Sequence, residues 1–358
     1  MESHAAAKQF QIEGGIAEVR PYGSGNINDT FLVSTQEVSA RYILQRLSPA
    51  VFPNPQTVMA NLCQVSGHMR RRLQRDAGCC EKWRMAELIP CRNGAEYFVD
   101  ANQNCWRMQR FIDKTRVCET VTTTKQARQI GKGLGCFHRL LSDLDHTRLH
   151  DTLPGFHITP HYLAQYDAVC DNHRLADQTC REIIENNRAS LSVLEDAKDD
   201  GRLPVRVIHG DPKAGNFLFD ENSDQVVSLI DLDTVKPGLI QYDLGDCLRS
   251  CCNPTGEETA NLDEVAFDLE RCRSIMEGYV GEAAPFLTDN DFHFMYDAVR
   301  LITFELGLRF YTDYLVGNIY FKAHDPEQNL RRARVQFRLL LGIEAQEKEI
   351  RAMAGGLR

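Results

Sequence analysis

The fold is decided by the stretch Val207-Ile208-His209-Gly210-Asp211-Pro212-Lys213-Ala214-Gly215-Asn216-Phe217-Leu218-Phe219-Asp220 and its continuation Val226-Val227-Ser228-Leu229-Ile230-Asp231-Leu232-Asp233. Its apolar runs predict short strands, and the Gly- and Pro-containing segments between them predict tight turns. Asp211, Asn216 and Asp231 thus lie beside apolar strands, where polar side chains need partners. A β-hairpin with polar turn residues is one interpretation of this pattern.

The spacing of these three residues favours a chemical interpretation. An Asp is followed by an Asn five residues later and by a second Asp fifteen residues after that. Phosphoryl transfer from a nucleotide uses such groups: one carboxylate orients the acceptor hydroxyl, and an Asn with a second carboxylate holds Mg²⁺ against the phosphates. We predict Asp211 as the catalytic base and Asn216 and Asp231 as magnesium ligands. Asp233 is a further candidate if it shares a strand face with Asp231, and capping of a turn is its alternative role.

Composition and charge limit the class of protein. The 358 residues are 43% apolar and 25% charged, which is typical of a folded globular protein. The net charge of −9 argues against a general nucleic-acid-binding protein. No apolar run reaches the length of a membrane-spanning helix, and the sequence predicts no membrane partner. The oligomeric state is not predicted.

The 13 cysteines are scattered, and the chain begins without the basic and apolar pattern of a secretion signal. Reduced thiols in a cytoplasmic protein are the expectation.

A glycine-rich segment lies between two predicted strands near the N-terminus, within residues 17–33. Glycines let the backbone approach a ligand and turn its N–H groups toward phosphate, although a plain hairpin turn is the alternative. We predict nucleotide binding by Gly23, Ser24, Gly25 and Asn28.

The third strand, residues 41–46, has Gln45 near the place where many kinases carry a phosphate-pairing Lys. Arg41 and Arg46 are candidates for that role, and surface roles are the alternative. Residues 55–75 have the apolar spacing of an amphipathic helix. Residues 108–112 are predicted to form a hinge, at which Gln109 and Phe111 meet the adenine through the backbone.

We therefore predict an α+β fold with two lobes, a small β-rich N-lobe (residues 1–112) and a larger, mostly helical C-lobe (residues 113–358). In the C-lobe, His138 is interpreted as a packing or capping residue. Asp243 and Asp246 lie in the first turns of a predicted helix, where acidic side chains suit the helix dipole. The segment 304–321 combines many aromatic residues with one arginine, which suits either a sugar-sized acceptor or a helix core.

The motifs His209-Gly210-Asp211 through Asn216 and Ile230-Asp231-Leu232-Asp233 resemble those of the aminoglycoside phosphotransferase and choline kinase superfamily. The resemblance implies a protein-kinase-like fold, ATP and Mg²⁺ as cofactors, and a small-molecule alcohol as acceptor. It also implies that His209 and Asp243 support the catalytic loop structurally.

Several stretches along nearly the whole chain are similar to the bacterial N-acetylhexosamine 1-kinases. They include 21–28, 41–45 through 53, 230–238 and 307–321. The resemblance implies phosphorylation of the anomeric hydroxyl of N-acetylglucosamine or N-acetylgalactosamine, with Arg309 and Tyr320 contacting the sugar beside Asp211. Gly210 and Gly215 depart from that branch, whose pattern has Asn at both positions.

Two other functions stay open. One is a kinase of a different small alcohol, such as an aminoglycoside, choline or another sugar. The other is a pseudokinase that acts as a binding module, although the complete set of Asp211, Asn216 and Asp231 argues against it.

Overall fold

An antiparallel sheet of five strands forms the N-terminal part of the protein. The computed structural model describes residues 2–23, 27–36, 40–76, 80, 82–170 and 177–358. The strands are β1 (Ile16–Pro21), β2 (Asp29–Thr35), β3 (Arg41–Arg46), β4 (Phe98–Val99) and β5 (Cys105–Arg110), and their order is β1-β2-β3-β5-β4. The predicted third strand is confirmed. Residues 87–90 lie beside the sheet and form an isolated bridge from Leu88 to Gln109.

The buried face of this sheet forms a small core of its own. Tyr42 and Leu44 alternate inward along β3 and pack with Trp106 and Met108 of β5. Helix α1 (Glu2–Ala7) contributes alanines to this core.

Helix α2 (Pro55–Arg75) has the predicted bounds. Proline at its first position suits a helix start, because the missing N–H has no partner there. Its apolar face is fully buried, and comprises Val58, Leu62, Val65 and Met69.

The C-terminal part is mostly helical, and this confirms the predicted α+β class. Its helices are α3 (Thr124–Leu141), α4 (Thr159–Cys170), α5 (Gln178–Asn187), α6 (Val193–Asp199), α7 (Ile240–Cys251), α8 (Leu269–Ala283), α9 (Asp289–His293), α10 (Met295–Leu315), α11 (Gln328–Ala345) and α12 (Glu347–Gly356). Helix α10 ends at Leu315, so Tyr320 lies in the following loop.

The segment that decides the fold forms two small sheets. Strand β7 (Arg206–Ile208) pairs with β10 (Lys236–Gly238) in the first of them. Strands β6 (Thr115–Val117), β8 (Phe217–Asp220) and β9 (Val226–Leu229) form the second sheet. The loop 209–216 therefore begins in one sheet and ends in the other.

Of the two alternatives for Asp233, a shared strand face with Asp231 is the one that the structure does not show. Strand β9 ends at Leu229, and Asp231 adopts a left-handed conformation with φ +68° and ψ +57°. A turn of 3-10 helix, Leu232–Thr234, follows. Asp231 is exposed whereas Asp233 is buried, because this reversal sends the two carboxylates to different environments.

The expectation of uniformly reduced cysteines is also wrong. Cys80 and Cys136 form a disulfide that connects the segment after α2 to helix α3. The other cysteines that the structure describes are free thiols. Among the described residues, no helix combines the length and the apolar character needed to cross a membrane.

Candidate active site

The carboxylate of Asp243 holds the start of the catalytic loop (residues 209–216). Asp243 lies in the first turn of α7 and is fully buried. It accepts hydrogen bonds from the backbone N–H groups of His209 (2.6 Å) and Gly210 (2.8 Å), and from the His138 ring (2.8 Å). Burial would raise the pKa of Asp243, but the hydrogen bond and charge of His138 and the backbone N–H of His209 hold it below its usual value. The loop is thus tied to α7 and α3 at its first two residues.

His209 is a neutral structural group in this network. Its Nε2 lies 2.9 Å from the carbonyl oxygen of Ile230, which can only accept, so Nε2 carries the proton. Its Nδ1 accepts the backbone N–H of Asp211 at 3.2 Å. Burial lowers the pKa of His209, which agrees with the neutral tautomer. Its contacts connect the catalytic loop to the strand that precedes Asp231.

The catalytic loop brings together the predicted base and one predicted metal ligand. Asp211 is half-buried, and its Oδ2 accepts a hydrogen bond from Lys213 Nζ at 2.7 Å. The Asn216 amide nitrogen donates to the backbone oxygen of Asp211 at 2.7 Å. Because the nitrogen is used in this way, the Asn216 side-chain oxygen is the atom left to bind a cation. The charge of Asp211 raises the pKa of Lys213, so the lysine is charged.

Asp231 has the electrostatics of a cation site. Its pKa is raised to about 6, first by the surrounding protein, which limits hydration, and then by the charge of Asp233. Asp231 nevertheless keeps an exposed surface, which a ligand can reach. Mg²⁺ prefers one or two carboxylates together with substrate phosphates, so the oxygens of Asp231 and Asn216 fit this ion.

A buried polar network joins the sheet to the segment 230–234, which contains the predicted metal ligand Asp231 and is called the metal loop below. Arg107 on β5 forms an ion pair with Asp233, and both side chains are almost fully buried. Arg107 also donates to Gln45 Oε1 through Nε (3.0 Å) and Nη2 (2.7 Å). The amide of Asn28 donates to Asp233 Oδ2 at 2.5 Å. Asp233 is therefore used internally and is not available as a metal ligand.

Neither predicted candidate for phosphate pairing lies in this network. Arg41 pairs with Asp113, and Arg46 pairs with Asp29, in exposed positions. Sequence reasoning missed Arg107, the buried arginine that contacts Gln45. The signal was available, since an arginine inside the apolar strand 105–108 is rarely buried without an ionic partner.

The predicted nucleotide-binding residues fall at the edge of the sheet. Gly23 has φ +78°, a left-handed conformation that glycine adopts readily. Ser24 and Gly25 lie outside the described residues. Asn28 accepts the backbone N–H of Ser48 at 3.0 Å in addition to its bond to Asp233. It is therefore held rigidly between the turn and the metal loop.

In the predicted hinge, Gln109 pairs with Ile43. The backbone N–H of Phe111 donates to the carbonyl of Arg41 at 2.9 Å, so this amide is not free to meet an adenine. The Phe111 ring makes an edge contact with Tyr22 (5.9 Å between ring centroids), which precedes the glycine-rich turn.

Arg309 and Tyr320, the predicted acceptor residues, are in contact. The guanidinium carbon of Arg309 lies 4.9 to 5.8 Å from the centroids of four aromatic rings, those of Phe156, Tyr162, Tyr320 and Phe321. Arg309 forms no ion pair with any residue in the described ranges. Cation–π attraction therefore replaces the usual carboxylate partner. Phe156 and Tyr162 were not singled out from the sequence.

His157 connects this cluster of rings to the catalytic loop. Its ring lies against that of Phe156 in a tilted arrangement, with 3.9 Å between centroids. Its nitrogens lie 2.8 Å from the carbonyl oxygen of Gly210 and 3.1 Å from a carboxylate oxygen of Glu305. Both partners can only accept, so both nitrogens carry protons. Burial alone would lower the pKa of His157, but the Glu305 carboxylate raises it above the usual value.

Asp313 fixes the loop that carries Tyr320. Its buried carboxylate accepts the backbone N–H groups of Ile319 (2.9 Å), Tyr320 (2.8 Å) and Phe321 (3.0 Å). Its charge is therefore satisfied within the loop and does not face an acceptor.

Comparisons with known proteins agree with this geometry. The "Phosphotransferase enzyme family" matches residues 18–275. A microcompartment-associated aminopropanol kinase is 16% identical, with a TM-score of 0.69 over 100% of this chain and 98% of its own. A choline kinase from Cryptosporidium parvum Iowa II is 13% identical, with a TM-score of 0.60 over 93% and 91%. A spectinomycin phosphotransferase, solved with ADP and spectinomycin, is 14% identical, with a TM-score of 0.53 over 93% of each chain.

The family match covers most of the chain, and it contains the catalytic loop, Asp231 and Asp243. The protein therefore belongs to the phosphotransferase enzyme family. Its fold is the protein-kinase-like fold that these structural neighbours share.

Proposed function

We propose that this kinase uses ATP and Mg²⁺ to phosphorylate the anomeric hydroxyl of an N-acetylhexosamine. The observation that carries the proposal is Arg309, a cation without an acidic partner among the described residues, beside the catalytic loop. Arg309 lies one helical turn after Glu305, which contacts His157, which in turn contacts Gly210. The acceptor thus meets Arg309 while its hydroxyl lies at Asp211.

The charges around this site favour a neutral acceptor over an ammonium compound. An aromatic cage often binds a ligand cation, but here Arg309 already occupies the space between the rings. Both carboxylate oxygens of Glu305 already have partners, His157 on one and on the other Thr159, whose hydroxyl donates at 2.8 Å. An arginine can instead donate to an acetamido oxygen, and Tyr320 offers a flat face to a sugar ring.

In the proposed reaction, each residue of the site has a separate role. Asp211 orients the acceptor hydroxyl and takes its proton. Lys213 stays charged next to Asp211 and places a positive charge beside the reacting groups. Asn216 and Asp231 would hold Mg²⁺, which neutralises the phosphate charge when bound.

The test is nucleotide consumption with a panel of acceptors: N-acetylglucosamine, N-acetylgalactosamine, glucose, galactose, choline, ethanolamine, an aminopropanol and an aminoglycoside. Turnover of an N-acetylhexosamine is expected, with loss of the reducing end in the product. The matched control is the methyl glycoside of the same sugar, which lacks the anomeric hydroxyl and should not react. Turnover of an amine alone would overturn the substrate and leave the kinase class intact, whereas a folded protein with no turnover on the panel would favour a binding module.

Two variants test the residue roles. Arg309→Ala should raise KM for the acetylated sugar and reduce discrimination against glucose, because the donor to the acetamido group is lost. The KM for ATP should stay the same.

Asp211→Asn should keep ATP binding and lower kcat about 100-fold or more, within the range of general-base contributions. Near-normal kcat in a folded Asp211→Asn protein would contradict the catalytic assignment.

A further inference from the structure

Asp246, on the face of α7 that borders the catalytic loop, has a carboxylate oxygen that the fold leaves without a partner. Asp246 is only 6% exposed. Its Oδ1 accepts two hydrogen bonds from Arg249, at 2.9 Å and 2.7 Å. Its Oδ2 is buried and has no hydrogen-bond partner among the described residues. A buried oxygen of this kind is costly, so a donor is expected to reach it when the protein is at work.

The helix geometry indicates where this oxygen lies. Asp243, one turn before Asp246, binds the N–H groups of the first two loop residues. Ser250, one turn after it, accepts the backbone N–H of Ala214 at 3.3 Å. Residues spaced three and four apart share one helix face. Asp246 therefore lies beside the middle of the catalytic loop, the part that contains Asp211 and Lys213.

The charge of Asp246 acts on cations on the acceptor side of the site. Asp211 is the main cause that raises the pKa of Lys213, and Glu305 that of His157, while Tyr162 and Tyr320 raise that of Arg309; the charge of Asp246 adds to each of these shifts. Lys213 is in the catalytic loop, and Arg309 lies within the cluster of aromatic rings. His157 connects that cluster to the loop. The carboxylate thus lies near the space between Asp211 and Arg309, where the acceptor of the proposed reaction binds.

The same surroundings select the chemical class of the missing donor. Arg249 already compensates the charge of Asp246, and the three cations make the region unfavourable for an ammonium group. A neutral O–H can donate to Oδ2 without adding charge.

We infer that Asp246 is a specificity residue whose Oδ2 accepts a hydrogen bond from an acceptor hydroxyl other than the one phosphorylated. This inference rests on the proposed function, since it requires a polyhydroxylated acceptor. A polyol with its hydroxyls in another arrangement would leave Oδ2 unpaired, and the site would discriminate against it.

The test is steady-state kinetics of Asp246→Asn, which keeps the side-chain volume and an oxygen for Arg249 but turns an N–H₂ group toward the acceptor. We expect KM for the acceptor to rise about tenfold to a hundredfold, in line with a lost hydrogen bond to a charged group. The KM for ATP and the thermal midpoint should change little. The matched control is Asp268→Asn, which removes the same charge from an i,i+3 pair with Arg271 on α8.

Deoxy analogues of the acceptor identify the hydroxyl. With wild type, one of the 3-, 4- and 6-deoxy forms of the N-acetylhexosamine should lose a similar factor in kcat/KM. Asp246→Asn should treat that analogue and the parent sugar alike. An unchanged KM in the variant, or an equal loss with every analogue, would overturn the inference and indicate that Oδ2 serves only the internal structure.

Two further measurements separate failure of the inference from an unfolded variant and from failure of the proposed function. If Asp246→Asn is not folded, Asp246→Glu retains the charge and the Arg249 pair and should show the same selective rise in KM through displacement of the oxygen. If wild type ignores N-acetylhexosamines, the proposed function fails. The inference then fails separately only if Asp246→Asn leaves KM unchanged for the best acceptor in the panel.

Discussion

At the scale of single residues, the site consists of groups whose charge states are set by their immediate partners. His209 and His157 contact neighbouring residues of the same loop, yet their pKa values shift in opposite directions. Burial dominates at His209, whereas at His157 the Glu305 carboxylate outweighs burial. One histidine is therefore a neutral support and the other a buried cation.

The metal ligands can be tested separately. Asp231→Ala should abolish turnover at any accessible Mg²⁺ concentration, because it removes the only carboxylate proposed to bind the ion. Asn216→Ala removes a neutral oxygen, and higher Mg²⁺ should restore part of its activity. Activity measured across a Mg²⁺ titration distinguishes the two. Unchanged Mg²⁺ and ATP affinities in both folded variants would contradict the metal assignment.

The buried cation predicts a dependence of stability on pH. The pKa of His157 in the folded protein lies above its usual 6.5, so the protonated ring stabilises the fold. This contribution is fully present below about pH 6.5 and is lost as pH rises through the raised folded-state pKa. We expect the difference in unfolding free energy between wild type and His157→Gln to shrink as pH rises above 6.5.

Denaturant unfolding at several pH values measures this difference. The matched control is His161→Gln, an exposed histidine on the neighbouring helix. A difference between wild type and His157→Gln that stays constant across pH would show that His157 is neutral in the fold.

At the scale of elements, helices α3 and α8 approach so closely that glycine is required at their contacts. A Cβ atom on Gly278 would lie 2.1 Å from the backbone oxygen of Arg128, and one on Gly131 would lie 2.0 Å from that of Ile275. Such distances are far below van der Waals contact with a rigid backbone. This contact also positions His138, which α3 supplies to Asp243, against Tyr279 of α8.

The contact predicts opposite effects for two glycines of one helix. Gly278→Ala should destabilise the fold by about 1–3 kcal/mol or more through overpacking. Gly281→Ala, also on α8, meets no atom within 4 Å and should be neutral or stabilise by up to about 1 kcal/mol through helix propensity. Urea unfolding of both variants provides the measurement. A Gly278→Ala protein as stable as wild type would mean that α3 and α8 can separate at low cost.

At the scale of the whole molecule, the Arg107–Asp233 pair joins the sheet to the metal loop. The two residues are 126 positions apart, and Asn28 adds a second connection from the end of the glycine-rich turn. Because both charges are buried, each depends on the other for compensation. Asp231 lies two residues from Asp233, so the same pair helps to define where the predicted metal ligand stands.

Removing one partner should therefore be costly. Arg107→Met is expected to destabilise the protein by about 3–5 kcal/mol, because Asp233 is left as a buried charge. The matched control is Arg110→Met on the same strand, where the exposed pairs with Glu13 and Glu87 contribute less than about 1 kcal/mol. The double variant Arg107→Met/Asp233→Asn should recover part of the loss. Equal effects of the two single variants in denaturant unfolding would refute the prediction.

Local sequence determined the elements and the reaction class. The helix at 55–75 and the strand at 41–46 follow from apolar periodicity and from proline at a helix start, which act over a few residues. The spacing of Asp211, Asn216 and Asp231 indicated phosphoryl transfer because that chemistry needs a base and two oxygen ligands in a fixed order along the loop.

Only the tertiary structure decided the partners. A shared strand face for Asp231 and Asp233 was one of two alternatives, but Asp231 is left-handed, and an arginine 126 residues away neutralises Asp233. Arg309 was visible in the sequence, whereas Phe156 and Tyr162, more than a hundred residues earlier, were not associated with it. Local sequence patterns reflect interactions between a residue and its immediate neighbours in the chain. The compensation of Asp233 and the aromatic surroundings of Arg309 depend on distant residues that folding brings together, and no local pattern in the sequence identifies those pairings.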